Sequence, residues 1–175
     1  MQTITRNPFV TVRTEGGLLP ADLLARIVDG DLDGRRPEDY GLGPNERLNE
    51  AISRAWAACQ AAWMRFQAER ATLLATDTGT TFTRERWLYP LLSALGYQNG
   101  TDDERLAYVG SLHVNDGSYP ISHRAGCLPL HLVTFRQDLD RHSTVDTAVR
   151  RSPHAIMQEF LNRSDLYLWG VITNG

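Results

Sequence analysis

Leu130-His131-Leu132-Val133-Thr134-Phe135 is the stretch on which the fold turns. A run this short and mostly apolar, ending in β-branched and aromatic side chains, predicts a strand buried in a sheet. On its N-terminal side, residues 106–114 read as a second strand, followed by a turn at Asn115-Asp116-Gly117-Ser118. On its C-terminal side, Ser152-Pro153 opens a helix, because serine caps the free amides and proline suits the first helical position. Ile156, Met157, Phe160 and Leu161 give that helix an apolar face, and residues 166–173 read as a further apolar strand. Strand, turn, strand, helix, strand is the order of an α/β fold, a mixed sheet with flanking helices. The last two residues, Asn174-Gly175, form a strong hairpin-turn signal with no returning strand behind it. That pattern predicts a chain cut off within a hairpin, part of something longer.

The first half has a different character. Residues 1–44 form a loop-rich leader with one short helix candidate at 18–28, and residues 45–100 form a helical segment. Its clearest element spans 44–70, where Leu48, Ile52, Trp56, Cys59, Trp63 and Phe66 recur at three- and four-residue steps. The two tryptophans on that stripe are expected to be core anchors. A second helix is expected at 83–95, with Thr83 as N-cap, Glu85 in the first turn and Gly96 closing it in the left-handed conformation. Pro90 predicts a kink or a later start.

Composition bounds the function. The chain has 175 residues, enough for one ordinary core. With 42% hydrophobic and 22% charged residues it falls in the range of soluble globular domains, and no run of apolar residues is long enough to span a bilayer. The first residues lack a signal peptide's apolar core, and Cys59 and Cys127 suit a reduced compartment, so a cytoplasmic location is expected. All 18 basic residues are arginine. A P-loop lysine, a Schiff-base lysine and the lysine of a Glu-x-Lys nuclease site are therefore excluded. The net charge of −3 argues against strong stand-alone binding to nucleic acid.

The second half follows a recognisable series. A helix ends in Pro90-Leu91-Leu92-Ser93-Ala94-Leu95-Gly96-Tyr97. A strand and an Asp-containing turn follow, then the strand Pro129-Leu130-His131-Leu132-Val133. A helix carrying Gln158 leads to Trp169-Gly170-Val171-Ile172-Thr173-Asn174-Gly175. This series resembles the amino-terminal nuclease-type region of type I and type IIG restriction enzymes. Two further blocks narrow the resemblance: Glu46-Arg47-Leu48-Asn49-Glu50-Ala51-Ile52-Ser53-Arg54-Ala55-Trp56, and Arg151-Ser152-Pro153-His154 leading into Gln158-Glu159-Phe160-Leu161-Asn162-Arg163-Ser164. Both are similar to the start of large adenine-specific DNA methyltransferases with an Eco57I-type methylase domain, some of them from anti-phage systems such as DISARM.

The resemblance implies residue roles. In active nucleases of this type an Asp and a following Glu-x-Lys hold a divalent metal that activates water. Asp116 matches the first position, and Glu-x-Lys falls at Thr134-Phe135-Arg136. Thr134 has no anionic oxygen for magnesium, and Arg136 is a poor substitute for a water-positioning lysine. Gln158 matches a helix glutamine of such sites. The implied core is a degenerate restriction-nuclease-like one, of the PD-(D/E)xK type, spanning 101–175. The Asn-Pro-Pro-aromatic and Gly-rich loops of methyl transfer are also absent, and Asn7-Pro8-Phe9 lacks the second proline. S-adenosylmethionine is therefore expected in a following domain, with no cofactor in this chain. The implied partners are DNA, the rest of the methyltransferase and defence-system proteins, with no membrane.

Arg150 and Arg151, just before the helix at Ser152, and Arg163 near its end are the candidate DNA-backbone contacts. The alternative to a non-catalytic module is a conditional metal-dependent nuclease using Asp116 with Glu104 or Asp138, or else a purely protein-binding module. Three sharper constellations carry less weight. A calcium loop at 29–34 lacks the later Glu. A zinc set of Asp116, His123, Cys127 and His131 lacks two close ligand pairs. A Ser122, His123 and Asp116 triad lacks a nucleophile elbow.

Overall fold

The computed structural model describes residues 20–29, 31–34, 36–142 and 150–175. The chain separates into two compact units, Met1–Ser53 and Arg54–Gly175. In the first unit, α1 spans Ala21–Asp29, inside the expected 18–28 helix at its start and one residue past it at its end. Leu18, Gly30 and Asn7-Pro8-Phe9 lie outside the described residues. A single 3-10 turn, Pro37–Tyr40, follows and closes on Gly41 in the left-handed conformation, φ 66°. Helix α2, Leu48–Arg70, then runs across the boundary between the units.

In the second unit only the C-terminal part of the α2 stripe is covered. Phe66 is fully buried, stacked on Phe82 (5.3 Å between centroids) and edge-on to Phe135 (5.9 Å). Trp63 packs against Trp87 at 4.8 Å. Trp56, expected to be a core anchor, is 64% exposed, and Ile52 is also exposed. Periodicity places these side chains on one face of the helix, but a face is buried only where something packs against it.

The next helical stretch corrects the expected N-cap. It begins at Thr80 (α3, Thr80–Thr83), with Gly79 as N-cap in the left-handed conformation, φ 74°. Thr83 is instead a buried interior residue whose hydroxyl donates back to Gly79 O at 2.7 Å. A π-helical turn, Arg84–Leu88, follows and leads into α4, Tyr89–Ala94. Pro90 explains this widened turn. It has no N–H to continue the ladder, and Tyr89 N–H reaches back five residues to Arg84 O. Gly96, φ 91°, terminates the helix as expected, with Tyr97 N–H bonded to Leu92 O.

Two sheets follow. The larger has strands β1 (Ala107–Tyr108), β4 (His123–Ala125), β5 (Leu128–Leu132) and β6 (Val171–Thr173), in the order β1-β4-β5-β6. The pairs β1–β4 and β4–β5 are antiparallel and β5–β6 is parallel, so the sheet is mixed. The smaller is the hairpin β2 (Leu112–Val114) with β3 (Gly117–Tyr119). The single strand expected at 106–114 is thus two strands in different sheets. It breaks at Gly110, φ 73°, where Val109 and Gly110 both donate to Ser122 O. The expected strand at 166–173 shortens to β6, and Leu166, Leu168 and Trp169 are exposed.

Helix α5, Pro153–Arg163, begins as expected, with Ser152 Oγ accepting from Ala155 N–H at 3.1 Å. It carries the chain from β5 to the parallel strand β6. Each sheet face has its own core. Leu88 and Leu92 pack on Ala125, Leu130 and Leu132. Ile156, Met157 and Phe160 of α5 pack with Leu112, Tyr119 and Ile121. The alternation of β6 between these clusters, Val171 to the first and Ile172 to the second, is what a two-faced strand requires. Among the described residues no helix is long and apolar enough to cross a membrane.

Candidate functional site: a polar cavity beside β5

β5 alternates leucines with other residues. Leu128, Leu130 and Leu132 join the core beneath the Thr80–Ala94 helical stretch, while His131 and the following Val133 point the other way, into a cavity of about 210 Å³. Its lining includes Arg84, Tyr108, Ser122, Thr134, Gln137 and Arg151. The register His123↔Leu130, continued one step, sets Ser122 opposite His131. Ser122 Oγ accepts from Leu132 N–H at 3.0 Å, which ties the two strands at the cavity floor.

A line of polar groups runs through the sheet beside it. Tyr89 Oη lies 2.9 Å from His123 Nε2, and His123 Nδ1 lies 2.8 Å from Ser122 Oγ. Both ring nitrogens are engaged, by Tyr89 and Ser122 and not by Asp116. Burial pushes His123 down to about 4, and the positive charge of Arg84 and then His131 push the same way. His131 is also held at about 4, by burial first and Arg84 second. Burial raises the Tyr89 phenol above its ordinary range. Both imidazoles are therefore neutral at pH 7.

Arg84 is the nearest cation and it is occupied. Its Nε and Nη2 both donate to Leu132 O, at 2.9 and 2.7 Å, and its guanidinium lies 5.8 Å from the Tyr108 ring centroid. Arg151 at the rim pairs with Glu159. Among the described residues two buried polar side-chain atoms have no partner: Nδ1 of His131, which is 9% exposed, and Oε1 of Gln137, which is 4% exposed. Both residues line the cavity, but neither of these atoms presents surface to it, so each is a polar group shut in by the protein around it.

The nuclease-like positions fall as follows. Asp116 is exposed at the tip of the β2–β3 hairpin, beside Asn115 with φ 51°. Thr134 is buried, donates from Oγ1 to Thr78 O at 2.7 Å and accepts from Arg136 N–H. Arg136 donates to Leu74 O at 3.1 Å and lies over the Phe135 ring. Thr134 and Arg136 are thus brought together, holding the 72–79 loop to the end of β5. Gln158 is exposed on α5. Arg151 and Arg163 meet at Glu159, with Arg163 Nε 3.7 Å from Oε1, and Arg150 is exposed. Glu104 is pinned by Thr101, whose N–H and hydroxyl hold its carboxyl below the ordinary range. Asp138 pairs with Arg141 at 3.6 Å.

Among the described residues, no group of three or more His, Cys, Asp or Glu side chains could hold a metal ion. Cys59 and Cys127 are free thiols, the latter exposed. Sequence reasoning weighed His123 and His131 as zinc ligands and Ser122 and His123 as triad members, preferred hydrogen-bonded histidines beside a strand, and passed over Arg84, Tyr89 and Gln137. The histidine inside the apolar run of β5 was the one available signal; nothing local marks Gln137 as buried. Compared with protein-family models, curated proteins and solved structures, the chain matches none.

Proposed function

We propose that this chain is a non-catalytic module that helps an adenine-specific DNA methyltransferase, of a restriction-modification or anti-phage defence system, engage DNA. The observation that carries this reading is the pairing of Arg151 and Arg163 on the half-buried acid Glu159, with Arg150 exposed just before α5. Two guanidinium groups share one carboxylate, so the cluster keeps a net positive charge. Phosphate oxygens offer the same bidentate acceptor geometry as the carboxylate they would replace.

The finer fold reading, a restriction-nuclease-like core with a decayed centre, belongs to this proposal. It is supported by the order helix, antiparallel strands, helix, parallel strand. It is also supported by the structural use of Thr134 and Arg136, whose polar atoms bind backbone rather than facing a metal site. Methyl transfer itself would belong to a following domain that binds S-adenosylmethionine; no Gly-rich loop for it stands in this chain. Docking to defence-system proteins fits the same modular role.

The test is fluorescence anisotropy with a short duplex between 50 and 200 mM salt. Each phosphate contact contributes about −0.9 to the slope of log K against log salt. Replacing Arg150, Arg151 and Arg163 by alanine should therefore flatten the slope by up to about 3 while the thermal melt stays in place. Absence of any salt-dependent binding would remove DNA engagement and leave a protein-binding module. Magnesium-dependent cleavage that vanishes in Asp116→Ala would instead establish the nuclease alternative.

A further inference from the structure

Half-buried Arg84 carries a charge that its bonding partner does not offset. Leu132 O takes one side of its fork, from Nε and Nη2, and a carbonyl is neutral. The Tyr108 ring lies 5.8 Å from the guanidinium carbon and adds no full charge either. Among the described residues no carboxylate pairs with Arg84, and none lines the cavity of which it is a wall. The charge is felt around it. Burial first and the Arg84 charge second hold both His123 and His131 low. A cation withdrawn from water is stabilised by an anion well beyond what a neutral acceptor supplies.

The unused side of the fork has a definite shape. With Nε and Nη2 turned to Leu132 O, the far pair of N–H bonds, one on Nη1 and one on Nη2, stays parallel. Nη1 has no partner among the described residues and is not one of the partnerless atoms shut in by the protein, which are His131 Nδ1 and Gln137 Oε1. Thr80, four residues earlier on the same helical stretch and face, lines the cavity beside Arg84. Two parallel N–H bonds match the two oxygens of a carboxylate. One cation offsets one negative charge, whereas a phosphate monoester brings about two at neutral pH. About 210 Å³ is the room of roughly seven liquid waters at about 30 Å³ each, below the roughly 300–1,000 Å³ typical of larger ligands. Pro120, Val133 and Ile156 give the remaining wall an aliphatic surface. We propose that this cavity binds a small organic acid. Its carboxylate takes the open side of the Arg84 fork beside Thr80, and its short apolar body lies on Pro120, Val133 and Ile156. The inference goes beyond the DNA-engaging reading and uses neither Arg151 nor Glu159, so either can fail alone.

Two measurements on the 175-residue chain test it, both at neutral pH and at one ionic strength set with sodium chloride. Calorimetry compares isobutyrate with isobutyramide, which has the same shape and no charge. A ligand this small should saturate at about millimolar concentration, and the acid should bind about tenfold more tightly than the amide or better. In NMR of the histidine rings, the signals of His131, which lines the cavity, should shift and saturate over the same isobutyrate range. Arg84→Gln keeps a donor for Leu132 O and removes the charge, so it should abolish the preference for the acid. Should Arg84→Gln fail to fold, Val133→Trp fills the cavity without touching the fork. It should abolish binding of both probes and leave the salt slope for duplex DNA unchanged.

Isobutyrate binding that does not saturate, or equal affinity for acid and amide, overturns the inference. A preference for the acid that survives both variants also overturns it, by locating the contact elsewhere. Methyl phosphate displacing isobutyrate at lower concentration would overturn the choice of a carboxylate and assign the cavity to phosphate esters. Salt-dependent duplex binding tests the DNA-engaging reading by itself: its loss with isobutyrate binding intact would remove that reading and uphold the cavity.

Discussion

Thr83 lies buried in the interior of a helix, where a hydroxyl must find partners inside the protein. It donates to Gly79 O and accepts from Phe135 N–H at 3.1 Å, so one side chain joins the helix start to the chain leaving β5. Thr83→Val keeps the shape and leaves Phe135 N–H without its acceptor, while Gly79 O keeps the bond from Thr83 N–H. We expect a loss of about 1–3 kcal/mol in urea denaturation, and an unchanged midpoint would refute the assigned role. Gly79 is held there for a related reason: at φ 74° an added Cβ would lie 2.9 Å from the Phe135 ring. The histidines set the acid side of stability. Their ordinary value is 6.5 and both stand at about 4 when folded, so between these values the unfolded chain binds protons that the folded chain refuses. Stability should be full above about pH 6.5, fall as pH drops towards about 4 and level off below. The melting temperature followed across that range is the check, and His131→Phe should make the decline shallower. The two rings influence each other, so the steps belong to the pair rather than to either ring.

At the scale of elements, helix ends were readable where the capping chemistry is local. Ser152 caps α5 and Pro153 fills its first position, both as the sequence indicates. Ser152→Ala should cost about 1 kcal/mol, read as a shift in the denaturation midpoint at constant slope. A shift in slope instead would mean that the change acts on more than the cap. The helix before the sheet was legible as a helix but not at its start, because Gly79 in the left-handed conformation stands at the N-cap position and Thr83 is claimed by a partner 52 residues away. Pro90 announced an irregularity, and the π-helical turn is its form. The strand expected at 106–114 failed for a comparable reason. Gly110 permits the break, but Ser122 O, accepting from both Val109 and Gly110, is what draws the chain aside.

Across the second unit, the mixed sheet is covered on both faces, and Leu130 stands at its centre, fully buried in β5. Leu130→Ala should cost about 2–5 kcal/mol, the range of a large-to-small change in a packed core. A loss below about 1 kcal/mol would mean that the cluster around Leu88 and Leu132 collapses onto the gap. The aromatic group of Trp63, Phe66, Phe82, Trp87 and Phe135 ties the end of α2 to the helix and loop beside it. Earlier on the same helix, Trp56 and Ile52 carry the same periodic signal and are mostly exposed.

The sequence by itself determined the class of fold, a buried strand through Leu130-His131-Leu132 (though it runs Leu128–Leu132 and stops short of the expected Phe135), the capped helix α5 and the absence of lysine chemistry. Each of these depends on composition, on a period of two or 3.6, or on a cap a few residues long. Only the tertiary structure decided which face of α2 is covered, where 106–114 breaks, and that Arg84, Ser122, His131 and Gln137 line one cavity. These residues come from a helical turn, a strand and two loops separated by up to 53 positions, and the pattern around each is ordinary. Whether a polar atom is left without a partner depends on every neighbour that surrounds it, and those neighbours are fixed only when distant segments pack.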